Sequence, residues 1–140
     1  SLKISGRCSV RKYLLDTHIL LWSLLEPDRL SDAIRVELEN HQNELWVSPI
    51  SAWEMALLVE NGRITIEAEN PEKWIREMLT HAPVREAPLN LDVALASRQV
   101  DLTHQDPADR FIAATALVYD LVLLTADARL LNSGQIRTLE

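Results

Sequence analysis

Short apolar runs alternate with longer segments of helical periodicity along this chain, and that alternation limits the folds it can adopt. Residues 121–125 (LVLLT) are almost continuously apolar, which predicts a strand buried on both faces. Residues 13–15 and 44–48 are predicted as strands, with weaker candidates near 84–87 and 136–139. Strands that alternate with helices form a parallel sheet covered by helices. We therefore predict an α/β fold with a central, mostly parallel sheet of four to five short strands, flanked by helices on both faces.

The helical segments begin at residues that commonly cap or start helices. Ser31 is a candidate N-cap, and Pro49 and Pro71 suit the first helical position. Asn61-Gly62 is a typical helix end. The predicted helices cover 17–25, 31–42, 49–61, a segment from 71 onward, 92–100, 106–120 and a short segment from 126.

Length and composition are those of one ordinary globular domain. The chain has 140 residues, of which 47% are hydrophobic and 25% charged. Residues 1–11 are polar and unpatterned, so we predict a loose N-terminal arm or a non-native addition there, and a folded domain over 12–140. No apolar run approaches the ~20 residues of a membrane span, and no signal-peptide pattern occurs. We expect a cytoplasmic protein.

Charge and cysteine content exclude some classes of function. The formal net charge is −7, which argues against a broad basic surface for nucleic acid. It leaves open a small site where a bound cation reverses the local charge. One cysteine and four scattered histidines argue against a disulfide framework and against zinc or thiol chemistry.

Five acidic residues stand at the ends of predicted elements or among apolar neighbours. Asp16 follows the first strand and Asp127 follows 121–125, while Asp106 and Asp109 begin the helix that leads into that strand. Glu54 lies on an otherwise apolar helix, and no lysine lies within three residues of any of the five. Because ligands bind at the carboxyl ends of strands in such sheets, we expect these acids to gather at one edge.

Helix capping is the alternative role for these acids. Asp106 would be an N-cap, with Asp109 completing a capping box. Ser51 and Glu54 also fit the capping-box pattern, although Ser48 competes for that cap. Capping accounts for each acid singly and does not explain why several would share one edge of the sheet.

The same alternative applies to Asp127, which could cap the last short helix, and less well to Asp16, because Thr17 could cap the first. Gathered carboxylates repel one another and their pKa values rise. A hard divalent cation with oxygen ligands removes that repulsion, activates water and stabilises charge on a phosphate. The acids therefore favour metal-assisted phosphodiester hydrolysis.

Four segments, in order, resemble the PIN-domain family, specifically VapC-type toxins of toxin–antitoxin pairs. They are YLLDTH, ISAWEMALLVENGRI, DPADRFIAATA and LLTAD, whose order and spacing match the family over nearly the whole chain from 12 to 139. The resemblance implies a PIN-like nuclease domain that cuts RNA with Mg²⁺ or Mn²⁺. It also implies a small antitoxin whose tail covers the acidic groove, and a homodimer. The acids that match the family's catalytic metal ligands are Asp16, Glu54, Asp109 and Asp127.

Further residues match the family pattern less directly. Asp106 belongs to the DP-x-D-R form of the motif and would assist as a metal ligand. Thr17 and Thr125 resemble the hydroxyl positions that steady the pocket. His18 would either touch substrate or make a structural hydrogen bond. Arg110 would contact phosphate or antitoxin, or pair with a nearby acid.

Other functions compete with the nuclease. A catalytically inactive PIN-like binding module would be expected to have lost an acid, yet all four matched positions are acidic. An aspartyl-phosphate hydrolase needs a second aspartate where His18 stands, and a phosphotransfer receiver needs a lysine near Asp127. Four tryptophans are predicted in the core, with one or two available to line a partner groove: Trp22, Trp46, Trp53 and Trp74.

Overall fold

Five short strands form one parallel sheet in the computed structural model, which describes residues 10–68, 70–102 and 105–140. The order across the sheet is β3-β2-β1-β4-β5, and every neighbouring pair is parallel. This arrangement confirms the predicted α/β fold. The strands are β1 Lys12–Leu15, β2 Glu44–Val47, β3 Val84–Glu86, β4 Val122–Leu124 and β5 Thr138–Leu139.

Helices connect the strands at the predicted places. A 3₁₀ turn, Pro27–Arg29, follows the first helix. The helices are α1 Thr17–Leu25, α2 Asp32–Glu39, α3 Pro49–Glu60, α4 Pro71–His81, α5 Leu91–Ala96, α6 Pro107–Val118 and α7 Ala128–Leu131.

Two helices end three or more residues earlier than predicted. Helix α2 ends at Glu39 rather than near residue 42, because Asn40 leaves the helical conformation and the Asn43 side-chain amide donates to the Glu37 carbonyl. Helix α5 ends at Ala96 rather than at residue 100, and the chain then turns. In both places local hydrogen bonds outweigh the periodicity of the sequence.

The sheet separates two apolar layers, as a central parallel sheet requires. Leu14 of β1 faces a cluster with Ile112 of α6 and Leu123 of β4. Leu15, the next residue, faces the other cluster together with α1 and α3. Leu123 and Leu124 of β4 face opposite clusters and both are fully buried, which confirms that the middle of the sheet is covered on both sides.

The strand order reverses direction between β1 and β4. From β1 the chain moves outward to β2 and β3, whereas β4 and β5 lie on the other side. The carboxyl ends of β1 and β4 therefore diverge into helices on either side of a crevice, the usual ligand position in open α/β sheets. Asp16 follows β1 here, and Thr125 follows β4.

Chain pairing begins at Arg11, one residue before the predicted domain start. The Glu44 amide donates to the Arg11 carbonyl at 2.8 Å, and Arg11 forms an ion pair with Glu37 at 3.2 Å. In the rest of the predicted N-terminal arm, Val10 is exposed and residues 1–9 lie outside the described residues. Within the described ranges, the helices are too short or too polar to cross a membrane.

Candidate active site

Asp16 is held in one orientation by two hydrogen bonds at the end of β1. Its Oδ1 accepts from the Thr17 amide at 2.8 Å, so Asp16 itself caps α1, contrary to the expectation that Thr17 could take that role. Its Oδ2 accepts from the Thr125 hydroxyl at 2.7 Å. The residue is only 7% exposed. Burial raises its pKa, and the bonds from Thr125 and Thr17 oppose that rise.

Thr17 connects Asp16 to the next acid. Its hydroxyl lies 2.5 Å from Glu54 Oε1 and 2.9 Å from the Ser51 hydroxyl. Burial raises the pKa of Glu54, the Thr17 bond lowers it, and the charge of Asp16 raises it further. Ser51, which the sequence did not indicate as a site residue, thus supports the hydroxyl that orients Glu54.

The capping box suggested for Glu54 does not form. Ser48 caps α3 through a bond from the Ile50 amide at 3.1 Å. The Glu54 carboxylate therefore takes no part in capping, and it lies on the face of α3 that packs near α1, beside the crevice. The structure therefore contradicts the capping alternative for Glu54, and its role as a metal ligand stays a prediction.

Asp106 and Asp109 bring two more acids to the crevice from α6. Asp106 caps the helix through the Ala108 amide at 3.0 Å, as its capping role predicts. Asp109 is buried one turn later, with 7% exposure. Burial raises the pKa of Asp109 to about 7, and the charges of Asp106, Asp127 and Asp16 add to that rise. Mutual repulsion of this kind requires the acids to be gathered, as predicted.

Arg129 forms ion pairs with two of the acids, and sequence reasoning did not select it as a site residue. Its Nη2 donates to Asp109 Oδ2 at 3.1 Å and to Asp127 Oδ2 at 3.0 Å, and its Nε donates to Asp127 Oδ1 at 3.2 Å. Asp127 also caps α7 through the Arg129 amide at 2.9 Å. Its position two residues after Asp127, a predicted metal ligand, is the feature of the sequence that could have indicated Arg129.

The donors in this crevice are those of a hard cation. Carboxylate and hydroxyl oxygens from four segments face one region, and oxygen ligands suit Mg²⁺ and Mn²⁺. In the described part of the chain, however, no three histidine, cysteine or acidic side chains are already positioned to hold an ion. Arg129 instead places a positive charge between Asp109 and Asp127. The residues fit a divalent cation once that guanidinium moves.

The structure gives Arg110 a structural role that the sequence did not predict, and the role of His18 stays a prediction. Arg110 is buried, and it donates to the main-chain carbonyls of Ser97 at 2.9 Å and Val100 at 3.1 Å. These two hydrogen bonds hold the turn after α5 against α6. His18 is exposed, and its ring lies 6.0 Å from that of Trp22, centroid to centroid.

Comparison with known proteins supports the resemblance in the motifs. The family model of the PIN domain matches residues 13–134. Ribonuclease VapC22 of Mycobacterium tuberculosis is 38% identical over 118 residues, which cover 84% of this chain and 88% of that protein.

Solved structures show the same fold. A DNA-bound VapBC complex from Salmonella typhimurium contains a chain with a TM-score of 0.68 and 19% identity, covering 93% of this chain and 98% of that one. In VapBC2 from Rickettsia felis, bound to a promoter DNA fragment, the values are 0.67 and 15%, with coverage of 91% and 97%. At these identities the likeness concerns the fold.

Proposed function

This chain belongs to the PIN-domain family, and we propose that it is a divalent-metal-dependent endoribonuclease that acts as the toxin of a toxin–antitoxin pair. One observation carries the proposal. Carboxylates from β1, α3, α6 and the β4–α7 turn converge on the crevice where the strand order reverses, and Asp109 has a pKa raised to about 7 by burial and by its acidic neighbours. Identity of 38% to a ribonuclease supports the same activity.

The residues that would hold Mg²⁺ or Mn²⁺ are Asp16, Glu54, Asp109 and Asp127, with Asp106 assisting at the mouth. A bound divalent cation would supply an activated water and offset the negative charge that develops on the phosphate. The chain's own task is then to keep these carboxylates ionised and correctly oriented.

The crevice has a fixed side and a movable side. On the fixed side, Thr125 and the Thr17 amide orient Asp16, and the Thr17 hydroxyl orients Glu54. On the movable side, the Arg129 side chain is 51% exposed. Solvent therefore screens its ion pairs with Asp109 and Asp127, and little free energy is needed to break them.

We infer that Arg129 is a positioning residue that is exchanged against the metal. In the metal-free protein its guanidinium limits the repulsion between Asp109 and Asp127. A divalent cation held by these acids would take over that neutralisation and leave the guanidinium at the mouth of the crevice. Its planar set of donors suits a phosphate there.

A small antitoxin is the proposed protein partner, with its tail over the acidic groove. Structural neighbours of this chain are toxin–antitoxin complexes, such as VapBC-1 from Haemophilus influenzae, with a TM-score of 0.62. The net charge of −7 suits a basic partner segment. A homodimer and a cytoplasmic location remain predictions from the family resemblance.

Cleavage of RNA with and without Mg²⁺ or Mn²⁺ tests the activity. Wild type should cut RNA with either metal and not in chelator. Asp16→Asn and Asp109→Asn should each abolish cleavage while thermal melting shows a folded protein. Asp28→Asn, which changes an exposed acid in the 3₁₀ turn, is the matched control and should cut normally. Retained cleavage in both site variants would overturn the proposal and favour the inactive binding module.

A further inference from the structure

A cavity lies between α1 and the end of α3, and His18, two residues after Asp16, is among its lining residues. It has a volume of about 380 Å³, which is within the range of small-ligand sites. Its lining includes His18 and Trp22 on α1, Leu58 on α3, and Arg29, Arg63 and Ile64. Its walls therefore combine an indole ring, apolar side chains and cationic groups with one carboxylate, Glu26, which pairs with Arg29.

The cavity lies one helical turn from the acids. Trp22 is four residues after His18 on α1, and Leu58 is four residues after Glu54 on α3, so each pair shares a helix face about 6 Å apart along the axis. His18 follows Asp16 by two residues and lines the cavity, so the cavity begins beside the acids.

Trp22 is a half-buried indole with a cation on its face. The Arg29 guanidinium lies 4.4 Å from the ring centroid, and Arg29 pairs with Glu26 at 3.0 Å. Both side chains of that pair are more than half exposed, so the contact is weak and Arg29 can give way to another planar group. A base is such a group, since every nucleobase has a face that stacks on an aromatic ring.

Arg63 is placed by the turn that ends α3. Gly62 has a φ of +75°, a backbone conformation that residues other than glycine rarely adopt. The amide of the next residue, Arg63, donates to the Leu58 carbonyl at 2.8 Å. The chain therefore folds back over the end of α3 and carries Arg63 to the cavity. In a protein of net charge −7, these cations provide local attraction for a phosphate beside a site full of acids.

We propose that this cavity binds a single-stranded ribonucleotide next to the phosphodiester that is cut, with its base stacked on Trp22 and its phosphate met by Arg63 and His18. The inference rests on the proposed ribonuclease activity, and it adds the residues that bind the RNA substrate beside the cleaved bond. It implies that the enzyme requires unpaired RNA at this position, because a base within a duplex cannot stack on a side chain.

Binding of fluorescein-labelled oligouridylate in chelator and low salt, followed by anisotropy, tests the subsite without cleavage. Trp22→Ala should weaken binding roughly tenfold or more, and Trp22→Phe should restore most of it. Arg63→Gln, an exposed change that leaves the core intact, should weaken binding and reduce the salt slope by about 0.7. Trp53→Ala and Arg76→Gln, in the separate groove between α3 and α4, are matched controls and should bind as wild type.

The outcomes separate this inference from the proposed function. If wild type binds and Trp22→Ala and Arg63→Gln bind equally well, the subsite is wrong while the ribonuclease stands. If those variants bind RNA normally and lose only a protein partner, the cavity is a protein-docking site and the inference is likewise overturned. If wild type neither binds nor cuts RNA, both proposals fail.

Discussion

The Thr125 hydroxyl donates to Asp16 Oδ2 at 2.7 Å, joining two residues that are 109 positions apart in the chain. The same hydroxyl oxygen accepts from the Asp127 amide at 3.0 Å. One buried threonine at the end of β4 therefore fixes a carboxylate that follows β1 and the backbone of a second acid. This arrangement depends on β1 and β4 being neighbours in the sheet.

Thr125→Val should weaken both the fold and the cation site. Valine keeps the shape of the side chain but leaves Asp16 without one donor, and a hydrogen bond to a charged group contributes about 1.5–3 kcal/mol. We expect a loss of about 2 kcal/mol in the free energy of unfolding at neutral pH, and weaker Mn²⁺ binding in calorimetry. Thr125→Ser should recover most of both, and a serine variant as poor as valine would contradict the role of the hydroxyl.

Asp16→Asn and Asp16→Ala should separate capping from metal binding. Asparagine caps as well as aspartate does, whereas alanine loses about 1 kcal/mol of cap. In chelator the asparagine variant should therefore be at least as stable as wild type, and the alanine variant less stable than asparagine. Millimolar Mn²⁺ should raise the melting temperature of wild type alone. A metal-dependent rise in either variant would show that Asp16 is not a ligand.

The stability of the metal-free protein should fall as pH rises. The pKa of Asp109 is raised from 3.8 to about 7, chiefly by burial. Between these values the folded chain binds more protons than the unfolded chain, so the free energy of unfolding decreases with pH. The raised pKa values of Asp16 and Glu54 act in the same direction. The raised pKa therefore destabilises the fold at high pH, and its effect vanishes below pH 3.8.

Urea unfolding in chelator across this pH range measures the effect. Each unit of pKa shift corresponds to about 1.4 kcal/mol. Asp109→Asn removes the titrating group, so its stability should depend less steeply on pH and should exceed that of wild type at the alkaline end. An equal slope in wild type and variant would mean that Asp109 titrates normally.

Arg129→Gln should bind Mn²⁺ more tightly than wild type. The variant no longer has a guanidinium between Asp109 and Asp127, so metal binding does not have to break those contacts. Exposed ion pairs contribute up to about 1 kcal/mol each, so calorimetry should show a gain of a few-fold to about tenfold. Arg137→Gln removes an exposed pair with Asp120 and is the matched control. An unchanged affinity in Arg129→Gln would rule out the exchange.

Arg110→Met should destabilise the fold without a selective loss of RNA binding. The change removes donors from the Ser97 and Val100 carbonyls inside the protein. A buried unsatisfied group costs about 1–3 kcal/mol, so we expect a loss of about 2–4 kcal/mol in urea unfolding. Arg110→Lys should recover part of the loss. If Arg110→Met is as stable as wild type but binds RNA weakly, the phosphate contact predicted from the sequence would be supported instead.

The sequence predicted the elements well where the signal was local. Apolar runs located the strands, and the bounds of α1 were predicted correctly because capping residues precede it and Pro27 follows it. Trp53 was predicted in the core, yet it is 51% exposed on α3. Helix α3 is apolar nearly all round, so its pattern does not indicate which side is buried.

The sequence by itself determined which acids follow strands or begin helices, and hence which could meet at one edge of a parallel sheet. It could not determine that each capping acid would also face the crevice, as Asp16 does, because one carboxylate has oxygens for both purposes. Only the tertiary structure decided that Arg129 spans Asp109 and Asp127, that Arg110 turns away to main-chain carbonyls, and that burial raises the pKa of Asp109 to about 7. Those properties depend on distances and solvent exclusion between segments far apart in the chain, whereas periodicity and capping act within a few residues.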